Sequence, residues 1–475
     1  MNTKSMLITA VTVAMLAGAA QAQETQRVED DLGGVYEGEI VDGLRHGTGT
    51  YTLPDGFRYS GGWVEDRLEG EGVITFANGD VFEGGVLDGR PHGFGTITFA
   101  DGGRYEGDWQ YGEMSGSGLR EYANGVTYEG GFLQNQHHGM GVLNSPNGFI
   151  YEGAWENGNR VGEGRATYPD GTTYEGGFAN NLRHGTGEMT DPEGMHYSGE
   201  WAHGQMTGSG TMTLPNGDVY VGEMFEGRRN GEGVMTYANG GSYEGQFEND
   251  KQSGIGTWTT TGGHIFSGEW IGGILNGEGS ITYPDGSVYE GHISGGVVDG
   301  VGMITYPDGS SYSGEWEQGV PHGQGRSVSV DGDVYEGGFV NARKNGHGVL
   351  TSASGLRYDG DWVNGQRTGQ GTTVYSDGTT YRGDHVNGAP HGQGEIIIPN
   401  GFQYVGGWQN GAFHGEGTAT YDNGDVYTGM FENSQRHGQG RMVYASGQVG
   451  EGLWTHGALD AMVEIVDGAV DGESQ

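Results

Sequence analysis

The 475-residue chain contains no cysteine. That excludes a disulfide scaffold, a thiolate metal site, a cysteine nucleophile and a lipid-modified N-terminal cysteine. Lysine is almost missing too, occurring only as Lys4, Lys251 and Lys344. Lysine and arginine together number 22 against 63 aspartates and glutamates, a formal net charge of −41. A chain of that sign has no basic footprint for nucleic acid, and it repels anionic lipid headgroups, which attract about 1 kcal/mol per basic residue. No apolar run approaches the roughly 20 residues that span a bilayer as a helix.

Glycine is what the chain has in excess, 103 residues in all. Each interior glycine costs a helix about 1 kcal/mol relative to alanine, which argues against a helical protein. Few aliphatic residues and a large net charge would ordinarily mean disorder. The 26 Tyr, 15 Phe and 10 Trp argue against that.

The first 22 residues have the pattern of a secretory signal. Lys4 supplies the positive start, Met6 to Ala17 is apolar or small, and Ala20-Gln21-Ala22 fits the small-x-small cleavage rule. The expectation is cleavage after Ala22 and a protein exported to the periplasm or the extracellular space.

From Tyr36 a 23-residue period runs through eighteen units without insertion or deletion, each opening on an aromatic: Tyr36, Tyr59, Phe82, Tyr105 and so on to Tyr427. The third, twelfth, fourteenth and twenty-first positions are always glycine, as in Gly38, Gly47, Gly49 and Gly56. Four in each of eighteen units account for 72 of the 103 glycines. Such strict register is expected when each unit stacks on the next. The domain reading is a signal over 1–22, a lead over 23–35, eighteen repeats over 36–449, then a partial repeat with an acidic C-terminal cap over 450–475. Met462 to Asp467 is read as a last strand.

Within a unit, apolar and polar residues alternate, as in Val73-Ile74-Thr75-Phe76 and Tyr105-Glu106-Gly107-Asp108-Trp109. Period 2 predicts strands with one apolar and one polar face. Units meet at turns such as Tyr283-Pro284-Asp285-Gly286. Pro, Asp and a left-handed Gly suit a three-residue hairpin loop with a glycine bulge. That loop length predicts the pairs Ile281 with Tyr289 and Gly279 with Gly291, and places every aromatic on one face. Paired glycines leave slots over which aromatics can lie. The second turn, around Asp42-Gly43-Leu44-Arg45-His46, reads as longer and more variable.

This pattern resembles the MORN repeat (membrane occupation and recognition nexus), whose core is close to Tyr-Glu-Gly-Glu-Trp-x-x-Gly-x-x-His-Gly-x-Gly. Tyr151-Glu152-Gly153-Ala154-Trp155-Glu156-Asn157-Gly158 and His322-Gly323-Gln324-Gly325 match it. The resemblance implies one β-hairpin per unit in an all-β, elongated, single-layer antiparallel sheet. Thirty-six strands at about 4.8 Å would make it roughly 170 Å long before twist. It also implies a scaffold, membrane-tethering module or protein-binding array.

A second period of 46 residues links Trp63, Trp109, Trp155 and Trp201, then resumes with Trp270, Trp316, Trp362, Trp408 and Trp454. The phase changes at Met224 and Phe247, which marks either a bend or a boundary.

No cofactor motif stands out. His46-Gly47-Thr48-Gly49 recurs in every unit without the helix N-terminus that phosphate binding needs. Eight histidines, among them His391, His414 and His437, occupy the eleventh position. Equivalent residues in successive units lie about 9.5 Å apart, whereas zinc ligands sit about 2 Å from the metal. They are therefore read as turn residues bonding backbone. The Asp-Gly turns lack calcium-loop spacing.

A single-layer sheet has no second layer to cover its aromatic face, so that face is either an interface, as large exposed apolar faces usually are, or is covered by the sheet coiling on itself. The expected contact residues are Trp63, Trp109, Trp155, Trp201, Trp270, Trp316, Trp362, Trp408, Tyr151 and Tyr289. Their expected partner is a protein or a second copy. The expected function is a non-catalytic exported scaffold. A second reading takes the aromatic row as a cell-wall or polysaccharide-binding array.

Overall fold

The computed structural model describes residues 25–462. Those residues contain no helix; thirty-nine strands run from Gln26–Glu29 to Ala458–Met462. They fall into two compact units, one comprising residues up to 215 with 225–227, the other 216–224 with 228 onward. The division falls in the repeat that carries Met224, where the tryptophan spacing changes phase, so a boundary lies there.

Each unit is an antiparallel meander. Every repeat contributes a seven-residue and a nine-residue strand, as in Val35–Val41 and Leu44–Thr52. The loop to the following repeat is the expected one. Leu53 N–H donates to the Phe57 carbonyl at 2.8 Å, and Gly56 N–H to the Leu53 carbonyl at 3.2 Å. Gly56 takes φ 98°, and the Asp55 carboxylate accepts the Phe57 N–H at 2.9 Å. The predicted pairs Ile281 with Tyr289 and Gly279 with Gly291 are present. Gly279 also pairs with Gly268 on its other side. The third and fourteenth glycines therefore form a continuous row across each unit.

The second turn differs from expectation. It is a two-residue connection, Asp42-Gly43, closed by the pair Val41 with Leu44. Asp42 has φ 51° and Gly43 φ 84°. Two positive φ values define the type I′ turn, whose twist matches that of paired strands. Leu44, Arg45 and His46 are strand residues. The apparent length comes from a bulge: Gly38 pairs with Gly49, then Ile40 with Arg45. Three residues, His46 to Thr48, thus face Glu39 alone. Gly47 turns this corner at φ 65°, which explains the invariant twelfth glycine. The Glu39 carboxylate accepts the Thr48 N–H that the bulge releases.

The 23–35 lead supplies a strand, Gln26–Glu29, paired with Val35–Val41. Asp30 and Gly33 repeat the inter-unit loop bonds there. At the other end, Ala458–Met462 pairs with Val449–Thr455. The signal reading over 1–22 and the cap strand beyond Met462 lie outside the described residues.

Candidate binding surface

Strand parity places the first, third, fifth, fourteenth and sixteenth positions on one face. The Tyr289 ring lies over Gly302, where a Cβ would clash with the hydroxyl end of the ring. Its hydroxyl donates to the His292 carbonyl at 2.9 Å. Burial pushes its pKa up to about 12. Trp316 stands edge-on between Tyr289 and Tyr312, with centroids 5.4 and 5.2 Å away. Its indole N–H donates to the Gly302 carbonyl at 3.0 Å. The bond recurs in Trp63 to Gly49 and Trp408 to Gly394. Edge-to-face packing suits the ring quadrupoles, and the one polar atom of each indole is satisfied.

The tenth position forms a lid over this row. Arg45 sits 4.6 Å above the Trp63 ring and Arg183 4.2 Å above Trp201. Lys344 lies 5.0 Å from Trp362 and 4.9 Å from Tyr335, and burial lowers its pKa. Asp66, in the next type I′ turn, anchors Arg45 through its backbone N–H at 2.9 Å and its Nε at 3.0 Å. Those bonds hold the Asp66 carboxyl below its ordinary pKa. Elsewhere the lid is apolar: Phe413, with loop residues Tyr375, Phe402 and Tyr421, packs on the cluster of Tyr381, Tyr404 and Trp408.

The aromatic face is therefore a core. Trp63, Trp109, Trp155, Trp201, Trp270, Trp316, Trp362 and Trp408 are all buried, as are Tyr151 and Tyr289; even Trp316 is only 8% exposed. This corrects the expectation that these ten residues form an open contact surface. A single sheet covers its own aromatic face when long side chains from the tenth position and the loops fold over the rings. The recurrence of Arg or Lys at Arg45, Arg160, Arg183, Arg229, Lys344, Arg367 and Arg436 was the available signal for that lid. The structural glycines keep their roles: Gly38 and Gly49 are covered by the Tyr36 ring, and Gly47 and Gly56 take positive φ.

The sequence matches the MORN repeat family in eighteen successive segments, from 36–58 to 427–449. The chain is a MORN-repeat protein. No curated protein sequence matches this MORN chain. Among solved structures, the SAS-4 (dCPAP) TCP domain of Drosophila melanogaster in complex with a proline-rich motif of Ana2 is 12% identical, covering 45% of this chain and 99% of that one at TM-score 0.21. The TCP10 domain of Danio rerio CPAP with a peptide of STIL is 14% identical over 66% of this chain and 95% of that one, at TM-score 0.11. A streptogramin B lyase is 14% identical over 63% and 92%, at TM-score 0.12. At TM-scores this low they transfer nothing to this MORN chain.

The opposite face of the MORN sheet is open. It carries the second, fourth, thirteenth and fifteenth positions, and shallow depressions lie along it. One of about 550 Å³ is bordered by Glu163, Glu175, Thr186, Glu188 and Ser198. Another is bordered by Phe94, Glu106, Ser117, Leu119, Glu129 and Val142.

The eleventh-position histidines sit in the long strands at the bulge, not in turns, and some do bond backbone. Nδ1 of His92 accepts the Tyr111 N–H and Nδ1 of His391 the Asn410 N–H, both at 3.4 Å. Among the described residues no three of His, Asp and Glu converge. In the loops, the backbone N–H of Ser287 holds Asp285 below its ordinary pKa.

One histidine belongs to the lid. His137 stacks on Tyr128 with centroids 3.6 Å apart, and its Nε2 lies 2.9 Å from the Tyr122 hydroxyl. Burial lowers its pKa to about 4. A folded-state pKa below the unfolded value near 6.5 adds stability that is full above pH 6.5 and is lost as pH falls towards 4. His137→Phe is expected to remove this loss, about 1–2 kcal/mol after discounting for the ring's partial contact with water. Denaturant midpoints of both proteins at pH 7 and pH 4.5 test this; a constant gap between them would refute it.

Proposed function

We propose that this MORN array is an exported, non-catalytic scaffold that holds a protein partner against its open sheet face. The observation carrying this reading is the asymmetry of the sheet: one face is consumed as core, the other presents the same positions repeat after repeat. Shallow depressions lined by repeating positions suit an extended partner and offer no enclosed pocket for a small substrate. Export rests on the N-terminal pattern of Lys4, the apolar run and Ala20-Gln21-Ala22.

The test is crosslinking and affinity capture from intact cells. The expected result is a protein captured outside the cytoplasm. Recovery of only cytoplasmic proteins would overturn the export reading, and capture on insoluble glycan with no protein would favour the polysaccharide reading. The latter has lost its main support, since the indoles that would stack on sugars are buried.

Direct binding to anionic lipid is not expected. The chain has two adjacent basic pairs, Arg228-Arg229 and Arg343-Lys344, and one residue of each is engaged: Arg229 bonds Asp250 at 3.2 Å, and Lys344 lies over Tyr335 and Trp362. The chain should fail to co-sediment with phosphatidylglycerol or cardiolipin vesicles at low salt in EDTA. Clear binding there would restore a membrane-tethering role.

A further inference from the structure

The open face of the first compact unit carries exposed apolar side chains with no cover. Phe94 is 62% exposed and Met140 66%. Both are thirteenth-position residues two repeats apart. Between them the depression bordered by Leu119 and Val142 opens to solvent.

Strand register makes this face regular. Cross-strand neighbours run Val73, Glu83, Thr96, Glu106, Leu119, Glu129, Val142, Glu152. Every second residue of the row is glutamate, and the residues between are apolar or threonine. Glu106 pairs with Arg104. Among the described residues Glu83, Glu129 and Glu152 form no ion pair; Arg165, the cross-strand neighbour of Glu152, pairs with Glu175 on its other side.

Successive glutamates are two strands apart, about 9.6 Å before curvature. An extended β-strand laid across them would present same-face side chains every two residues, about 6.8 Å apart, out of step with the row. A polyproline II segment repeats every three residues at about 3.1 Å each, or about 9.3 Å. A basic side chain at every third position would therefore meet each glutamate in turn. With the segment's axis between the glutamate row and the row of Phe94 and Met140, one proline of each triplet would turn towards those two exposed side chains, while the other would face solvent. Such a segment is already extended, so little conformational entropy is lost on docking.

We propose that this face, from Glu83 to Glu152, docks a polyproline II segment bearing lysine or arginine at every third residue. The proposal rests on the scaffold reading above and names its partner's chemistry.

The probe is a fluorescein-labelled Lys-Pro-Pro peptide of four repeats, measured by anisotropy on the full chain at near-physiological salt. A control peptide has the same composition with its lysines unevenly spaced. Phe94→Ser with Met140→Ser removes the apolar contacts, and Glu129→Gln with Glu152→Gln the carboxylates. Glu244→Gln with Glu290→Gln makes the same charge change at the same repeat position in the other compact unit. All these side chains lie on the open face, and unchanged thermal midpoints will confirm folding.

The regular peptide is expected to bind about tenfold more tightly than the uneven one. The first two variants should each lose about fivefold or more, the third little. Equal affinity for both peptides, or equal losses in the two glutamate variants, would show mere attraction to an acidic chain and overturn the proposal. Absence of binding by the regular peptide would also overturn it. Partner capture from cells that survives these results would leave the scaffold reading standing.

Discussion

Gly302→Val is expected to destabilise its repeat by about 3 kcal/mol, while Thr305→Val on the same strand changes stability by less than about 0.5 kcal/mol. Gly302 takes an ordinary strand conformation, so backbone strain is not the cause. A Cβ there would clash with the hydroxyl end of Tyr289, its oxygen first and then its Cζ and Cε2 atoms. The ring has no room to retreat, since Trp316 stands against it at 5.4 Å. Valine would have to expel Tyr289, opening the row on both sides. Thr305 is exposed on the other face, where a β-branched residue suits a strand. Gly279→Val should cost less than Gly302→Val. A Cβ at Gly279 would meet the Ser267 carbonyl oxygen at 2.7 Å and Ile293 Cδ1 at 3.2 Å, with no ring over it. Hydrogen exchange of amides 288–317 gives the local reading. Equal loss of protection for Gly302→Val and Thr305→Val would refute the assignment of faces.

The second large effect separates a core tryptophan from a contact tryptophan. Trp316→Ala should cost about 3–5 kcal/mol through the cavity it leaves. Trp316→Phe should cost only about 1 kcal/mol, because phenylalanine already fills the equivalent place in the next repeat, where Phe339 packs edge-on at 4.9 Å from Tyr312 and 5.2 Å from Tyr335. The difference includes the indole bond to the Gly302 carbonyl. Partner capture should survive Trp316→Phe, since the ring is buried. Loss of capture with stability intact would return the tryptophans to the contact surface.

Much of this fold was legible because its determinants are local. The Pro-Asp-Gly loop dictates parity, parity puts the glycines opposite each other, and the pair Gly279 with Gly291 follows from counting along the chain. The tight turn at Asp42-Gly43 was legible in principle, since Asp-Gly between strand residues is a strong hairpin signal. It was obscured because the bulge at Gly47 adds residues to one strand and makes the connection look long. Units such as Glu65-Asp66 hide the signal further, adopting φ 49° and 66° with no glycine at all.

The binding surface was not legible in the same way. Periodicity tells which residues share a face, but not which face meets solvent. Read alone, the sequence determined the repeat, its strands, the inter-unit loop and the row of glycines under aromatics, because those follow from φ preference, alternation and spacing within a few tens of residues. Only the tertiary structure decided that Trp63 lies beneath Arg45, that Arg45 is held by Asp66 from the following repeat, and that Glu129 stands in the open between Leu119 and Val142. Those relations depend on how long side chains fold across neighbouring strands, and burial is settled by that packing, not by hydrophobicity along the chain.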